Sequence, residues 1–391
     1  MAPDEKPYRV YKGGRSKGKV PIASRPEPAA RKTNAPRAAK PRRERRGWSK
    51  RRKVGLLLLL LLLLLVLAVV WGVASYLAFR GGVSAANARL DNRTRSALKG
   101  GDGLLLSHPT DILLLGTDHA NTDARACDRH SDSIMLVRTD PSRHRITYLS
   151  IPRDLRVPIP GHGDDKINAA FQIGGAALAA RTISAFTGLQ VNHVVIVDFG
   201  SFETLIDKLG GVTIDVPGPI LSNRFDCPYS TAARCQQWPG WRFHKGSQTM
   251  DGHRALIYSR IRENRLNASE NDITRGARQQ EVLQALSSKL ASIGTLGRMP
   301  FIGGDLLRPL TTDLSAWKLL QLGWAKFRAG KTLHCRLGGS FSTIGGSSVI
   351  VSTEENFSVV RMVSGQSAPQ PPLPGSGPAG PGCVSGKRGF R

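Results

Sequence analysis

Residues 133–154, SIMLVRTDPSRHRITYLSIPRD, decide the fold. Two apolar runs of strand length, SIMLVRTD (133–140) and RITYLSIPRD (145–154), flank PSRH, whose Pro and Ser favour a turn. The spacing predicts a hairpin. Upstream, DILLLGTD (111–118) has the length and flanks of a short buried strand and lies beside that hairpin. Downstream, helical periodicity runs from Asn168 to Phe186, weakened by Gly174 and Gly175 and closed by Gly188. VNHVVIVDF follows as a strand, SFETLIDKLGG as a short helix ending in glycines suited to a left-handed cap, and VTIDV as another strand. Strands alternating with helices in this way predict a three-layer α/β/α sandwich with a mixed central sheet.

Further out, residues 217–247 read as a long irregular insertion carrying Pro, Trp and two cysteines. ALIYSRIR (255–262) reads as a strand and ITRGARQQEVLQALSSKLASI (273–293) as a long helix. The chain to about Ser364 completes the domain, which is taken to begin at residue 108. Residues 365–391, rich in Pro and Gly, are expected to be disordered, with no means of burying a core.

Ahead of the domain, Val54 to Phe79 is an uncharged run of 26 residues, where about 20 suffice to cross the hydrocarbon core as a helix. It is too long for the apolar region of a cleaved signal peptide, which is about 7–15 residues. RRERRGWSKRRK directly before it places the N-terminus in the cytoplasm by the positive-inside rule, so everything after Arg80 lies outside. Residues 80–107 read as a linker.

This topology accounts for most of the charge. The formal net charge is +27, and residues 1–53, a disordered basic tail, hold 19 Lys/Arg against four Asp/Glu. A basic tail beside a membrane is attracted to anionic lipid, and this one contains no helix-turn-helix or aromatic RNA motif. No nucleic acid is expected as a partner. The Ala, Gly, Arg and Pro content is that of a GC-rich bacterium such as an actinobacterium.

Cysteines stand at 127, 227, 235, 335 and 383, all on the side where thiols oxidise. Cys227 and Cys235 bracket a loop-like segment and form the disulfide candidate. The odd count leaves at least one thiol unpaired or intermolecular. No spacing argues for zinc, and the scattered histidines and Ser150 offer no hydrolase triad.

Three strand-end segments carry polar chemistry. In a strand over 255–262, alternation would put Tyr258, Arg260 and Arg262 on one face. On the following helix Val282, Leu283, Leu286, Leu290 and Ile293 form an apolar stripe whose face also takes Arg275 and Gln279. Asp272 is a good N-cap, so Arg275 sits in the first turn, where a cation opposes the helix dipole unless an anion is there. The functional reading is an anion-binding mouth of Arg260, Arg262, Arg275 and Gln279. Its rival is a structural arginine–carboxylate network with Asp272, Glu263 or Glu270. Asp118 ends one strand and Asp132 begins the next, so their carboxylates can meet at one sheet edge. Paired carboxylates beside arginines suit Mg2+ bound with a phosphorylated substrate, against the plainer possibility that both are turn residues. Arg153 follows a strand, and Lys166 and Asn168 precede a helix, where free amides attract anions.

Seven ordered blocks, LLLGTD, HSDSIMLV, LSIPRDLRV, DKINAAFQIGG, VDFGSFETLIDKLGGVTIDV, MDGHRALIYSRIR and DITRGARQQEVLQAL, resemble the LytR-CpsA-Psr family of bacterial cell-wall ligases. The resemblance covers about residues 108–290 and extends more loosely to 364. It implies a phosphotransferase that moves a glycopolymer from a polyprenyl diphosphate carrier onto peptidoglycan outside the membrane, with a sugar hydroxyl as the attacking group. It implies Mg2+ and diphosphate roles for Asp118 and Asp132, and a diphosphate-binding cluster of Arg153, Arg260, Arg262, Arg275 and Gln279. It also implies a lipid-tail pocket between sheet and helices, with AAFQIGGAALAA as one wall. One departure stands out: where the family commonly has Arg before the Ser-Asp pair, this chain has His130, with Arg129 one earlier. Two other classes stay open, a non-catalytic polyprenyl-lipid or wall-polymer binding protein and a membrane-tethered transcriptional attenuator.

Overall fold

The computed structural model describes residues 50–100, 104–117, 131–268, 270, 272–376 and 380–386, with the side chains of 132, 272–274 and 331 left out. Asp118, Cys127, Arg129 and His130 therefore lie outside the described residues, as does the side chain of Asp132. Residues 61–391 form one compact unit.

In chain order the elements are α1 (Lys50–Ala88), α2 (Asn92–Ala97), β1 (Thr110–Thr117), β2 (Ser131–Asp140), β3 (Arg145–Ile151), β4 (Leu155–Ile159), β5 (Gly163–Lys166) and α3 (Ala169–Thr187). Next come β6 (His193–Asp198), α4 (Phe199–Lys208), β7 (Val212–Val216), β8 (Ile220–Leu221), α5 (Ala232–Gln237), β9 (Arg242–Phe243), β10 (Gly246–Met250) and α6 (Gly252–Arg260). The chain continues through α7 (Asp272–Leu290), α8 (Ile293–Ile302), β11 (Leu310–Thr312), α9 (Ala316–Arg328), β12 (Lys331–Arg336), β13 (Gly339–Ile344), β14 (Ser347–Ser352), α10 (Glu355–Ser364) and β15 (Gly382–Ser385).

The central sheet has the order β11-β6-β1-β2-β3-β12-β15 among the described residues. β1 is parallel to β6 and β3 is parallel to β12, whereas β2 runs against both of its neighbours, so the sheet is mixed as expected. Alternation along the strands sorts the side chains into two layers. Leu113, Leu115, Ile134, Leu136, Leu149 and Ile151 pack with α3 and α10. Ile112, Met135, Val137, Ile146 and Tyr148 pack on the other face, with Leu283 of α7 and Leu319 and Leu322 of α9. This is the three-layer arrangement. α3 is interrupted at Gly174 and Gly175, where the backbone leaves helical angles, and ends on a left-handed Gly188.

Three expectations are overturned; the third is the 80–107 linker, since α1 runs on to Ala88, α2 follows, and Val83, Leu90 and Leu105 are buried in the domain, which therefore begins before residue 108. Residues 255–260 are not a strand but most of α6, capped by Asp251, whose carboxylate accepts from the Arg254 amide. Ala255 to Ser259 are all buried, so the run is apolar around the whole helix and carries no period of either kind. The shared face assigned to Tyr258, Arg260 and Arg262 goes with the strand: the Tyr258 hydroxyl donates to Glu281, Arg260 is the last helical residue, and Arg262 is exposed in the loop beyond. The second correction concerns the Pro/Gly tail. β15 pairs antiparallel with β12, and Cys335–Cys383 joins the two across their register. Cys383 is buried in the core, so a disulfide and four ladder residues supply the burial that the composition of 365–391 does not. The Cys227–Cys235 disulfide is present as expected, inside the 217–247 insertion.

Candidate functional site

β1, β3, β6 and β12 all point the same way, so their carboxyl ends share one edge of the sheet with the start of β2. Ligand crevices of open α/β sheets form at such an edge. Thr117 at the end of β1 pairs with Ser131 at the start of β2, so the strands leading into Asp118 and Asp132 meet there, although both side chains lie outside the description.

The first turn of α7 lies over this edge. Gly276 makes the approach possible, since a Cβ there would sit 2.2 Å from Ser150 Oγ and 3.1 Å from Ser150 Cβ. Its neighbour Arg275 is thereby brought down and buried, and one helical turn later Gln279 accepts from Ser133 Oγ at 2.8 Å. The pocket formed here is lined by Ser133, Ser150, Arg153, Arg275, Gln279 and Arg336, together with Gly276 and flanking apolar residues. Three of the expected cluster, Arg153, Arg275 and Gln279, converge in it.

Arg336 was not anticipated. It ends β12 opposite Ser150, with the parity of Ser150 and Tyr148, and therefore points towards α7. Its Nε donates to the Gly380 carbonyl at 2.8 Å, and burial draws its pKa down to about 10, so it is still a cation at neutral pH. Arg336 is thus a buried cation on the wall of this pocket. Arg153 contacts Asp154 at 3.4 Å, and Lys166 reaches the same carboxylate at 3.0 Å, so Lys166 joins the rim through Asp154.

The remaining arginines of the 258–280 segment separate. Arg260 pairs with Asp226 of the insertion. Arg265 donates to the Pro239 carbonyl from an exposed position. Arg278 is buried against Glu270 and the Ile261 carbonyl. The carboxylate network anticipated as the rival reading thus exists, and it takes Arg278. The site cluster is confined to Arg275 and Gln279 on this helix.

A second pocket of about 100 Å³ adjoins the first and shares Ser133 and Gln279 with it. Its wall is apolar: Leu114, Met135, Val197, Phe199, Phe202, Leu256, Val282 and Leu283 line it. These side chains come from the sheet, α4, α6 and α7. The small-residue helix α3, expected as one wall, packs on the opposite face of the sheet with Leu113, Leu136 and Leu149. Strand alternation accounts for this, because Leu114 and Met135 point away from α3.

The arrangement is thus a cationic mouth that opens into an apolar slot, chemistry suited to an amphiphile with an anionic head. Among the described residues no group of three or more His, Cys, Asp or Glu side chains could hold a metal.

The LytR_cpsA_psr family profile matches residues 78–356. The polyisoprenyl-teichoic acid–peptidoglycan teichoic acid transferase TagU of Oceanobacillus iheyensis is 32% identical over 217 residues, 54% of this chain and 61% of that protein. The regulatory protein MsrR of Staphylococcus aureus is 30% identical over 214 residues, 54% of this chain and 58% of that protein. The chain thus spans about three fifths of the length of these relatives. Among solved structures, Bacillus subtilis TagV superimposes with a TM-score of 0.53 at 27% identity, covering 66% of this chain and 96% of that one. A structure described as TagT bound to LIIa-WTA gives a TM-score of 0.51 at 25% identity, covering 68% and 92%. With the profile spanning well over half of its residues, the chain belongs to the LytR-CpsA-Psr family.

Proposed function

We propose that this protein is a phosphotransferase that moves a glycopolymer from a polyprenyl diphosphate carrier onto peptidoglycan. The observation that carries this reading is the junction of the two pockets. A diphosphate is held at Arg153, Arg275, Gln279 and Arg336, and the polyprenyl chain lies along Leu114, Met135, Phe199 and Val282. Arg260, at the end of α6 beside Asp226, and Arg262, in the exposed loop beyond, stay in the proposal as further diphosphate contacts on the sequence resemblance. The transferase names of TagU and TagT relatives support the same chemistry.

In the transfer, a peptidoglycan hydroxyl loses its proton to a carboxylate and attacks the phosphorus bearing the glycopolymer, the bond from that phosphorus to the bridging oxygen breaks, and polyprenyl phosphate leaves. Negative charge grows on the bridging and leaving oxygens, where fixed guanidinium groups stabilise it without reorganising. The Ser133–Gln279 hydrogen bond holds the Gln279 amide at the boundary between head and tail. Mg2+ belongs to the proposal on sequence grounds, with Asp118 and Asp132 as its ligands, and would supply charge neutralisation on the diphosphate.

α1 is the helix long and apolar enough to cross a membrane among the described residues. The proposal places its N-terminal end in the cytoplasm and the folded domain outside, and two disulfides within the domain suit an oxidising compartment. The test uses the purified full chain, a polyprenyl diphosphate-linked glycan donor, peptidoglycan and Mg2+. Product is expected from the wild type and none from a folded Arg275→Ala variant. Tight lipid binding without product in the wild type would instead establish the non-catalytic binding protein.

A further inference from the structure

α9 buries Ala316 and Gln321 and packs Leu319 and Leu322 into the domain, yet its opposite face is also apolar. Trp317, Leu320, Trp324 and Phe327 are 59%, 42%, 51% and 80% exposed. Their spacing of three, four and three residues keeps all four within an arc of roughly 80°. The Trp324 and Phe327 rings lie 5.6 Å apart. Beside them runs the 104–106 turn, tied down by the Leu105 amide donating to Gln321 Oε1 at 2.7 Å, with Leu104 and Leu106 also exposed. Leu106 and Trp324 line a shallow pocket with Arg328 and with Arg145, which faces the buried Asp140 at 3.8 Å. A contiguous exposed apolar patch of this kind, rimmed by cations, marks an interaction surface.

We infer that this face of α9, with the 104–106 turn, is an interfacial docking surface lying in the headgroup region of the membrane that α1 spans. The inference rests on α1 being a span and is independent of the transfer reaction. What fixes the occupant is the junction with α1. Phe79 and Val83 pack with Leu307, Leu310, Ala316 and Leu319, so the start of α9 is fastened to the end of the apolar helix. Gly82 and Gly304 cross backbone to backbone, a Cβ on Gly82 falling 2.7 Å from the Gly304 oxygen. An Arg89 Nη donates to the Leu307 carbonyl at 3.2 Å. Val83 lies four residues past Phe79, the last residue of the uncharged run, or about 6 Å along a helix. With the hydrocarbon edge at Phe79, where α1 meets the domain, that distance falls within the headgroup layer, which extends about 5–8 Å beyond the hydrocarbon on each side. Trp and Phe with nearby Arg are the residues that such a layer selects, and anionic headgroups would be preferred by Arg328.

The test is photo-crosslinking of the full chain in vesicles of phosphatidylcholine and phosphatidylglycerol. Benzoylphenylalanine replaces Phe327 in one variant and Phe357 in another. Phe357 is 52% exposed on α10, in the helical layer on the opposite face of the sheet. A phospholipid adduct at 327 and none at 357 is the expected result. Protein that floats with the vesicles but yields no lipid adduct at 327, yields equal adducts at both positions, or links 327 to a second copy of the chain overturns the docking face. Protein that does not float overturns the span and the docking face together. Neither position is buried, so loss of folding does not intervene.

Discussion

Gly276→Ala is the most informative perturbation of the site, because the residue carries no side chain and yet sets the position of Arg275 and Gln279, which line the cationic pocket. The added Cβ falls 2.2 Å from Ser150 Oγ, where ordinary contact begins at 3.4 Å, a shortfall of about 1.2 Å. If Ser150 Oγ swings aside, its Cβ at 3.1 Å still asks for a shift of a few tenths of an ångström. Ser150 is buried, so the hydroxyl has little room, and the first turn of α7 is expected to lift by most of the full shortfall. Overpacking of this kind costs about 1–3 kcal/mol, while replacing Gly by Ala inside a helix returns about 1 kcal/mol. Net destabilisation should thus stay between about 0 and 2 kcal/mol, and the domain remains folded. Function suffers more: a misplacement of about 1 Å at reacting groups costs on the order of 100-fold, or about 2.7 kcal/mol of barrier. The assay pairs thermal unfolding with polyprenyl diphosphate binding and transfer rate. Adding Ser150→Ala removes the hydroxyl and leaves the 3.1 Å contact, so the double variant should recover most of the loss. Wild-type transfer in Gly276→Ala, or a double variant no better than the single, would refute the claim that this close approach positions Arg275 and Gln279.

Arg275→Gln and Arg336→Gln should each weaken polyprenyl diphosphate binding about 10- to 100-fold by calorimetry, the worth of a charge-assisted contact of about 1.5–3 kcal/mol. Arg278→Gln, three residues along the same helix, should keep that affinity while losing about 1–3 kcal/mol of stability, because Glu270 loses its ion-pair partner and keeps the Asn264 and Asn267 amides. Two buried groups make opposing contributions to acid stability. Burial raises Asp111 to about 6 against the pull of Arg138, so its contribution is full below the unfolded value of 3.8 and is lost as pH rises through 6. Burial lowers His334 to about 4, so its contribution is full above the unfolded value of 6.5 and is lost as pH falls through 4. Each is worth on the order of 3 kcal/mol, and between pH 4 and 6 the two slopes largely cancel. In denaturant titrations Asp111→Asn should therefore become less stable on acidification across that window, and His334→Gln more stable, relative to the wild type's flat profile. Cys383→Ser opens a loop of sequence separation 48 and should cost about 2–4 kcal/mol, read as a lower melting temperature.

The hairpin, the strand before it and α3 were legible because each has a local signature: strand-length apolar runs, a turn cluster, a helical period and a closing Gly188. α6 was not, since a helix buried on every side shows no periodicity, and the one local clue was Asp251 before Gly252. The error moved Arg260 and Arg262 to a shared face they do not have. Arg275 and Gln279 do share one face and one pocket, as helical phase predicts, because that phase depends on neighbours alone. Arg336 escaped because its orientation depends on a parallel pairing between β3 and β12, residues almost two hundred positions apart, which no short pattern encodes. The same holds for Gly276, whose importance becomes visible once Ser150 faces it.

The edge strand β15 gives the domain an order of completion. Synthesis runs from the N-terminus, so β15 is made after every other strand of the sheet, 48 residues separating its cysteine from the partner in β12. Until it arrives, β12 is an open edge with unpaired backbone groups, and Arg336 lacks the Gly380 carbonyl that holds its Nε. A ribosome that stops after α10 therefore releases a chain with its apolar slot formed and its cationic mouth unfinished. Closure of the sheet and completion of the cationic pocket are then one event, and a prematurely terminated product is left with Arg336 unanchored.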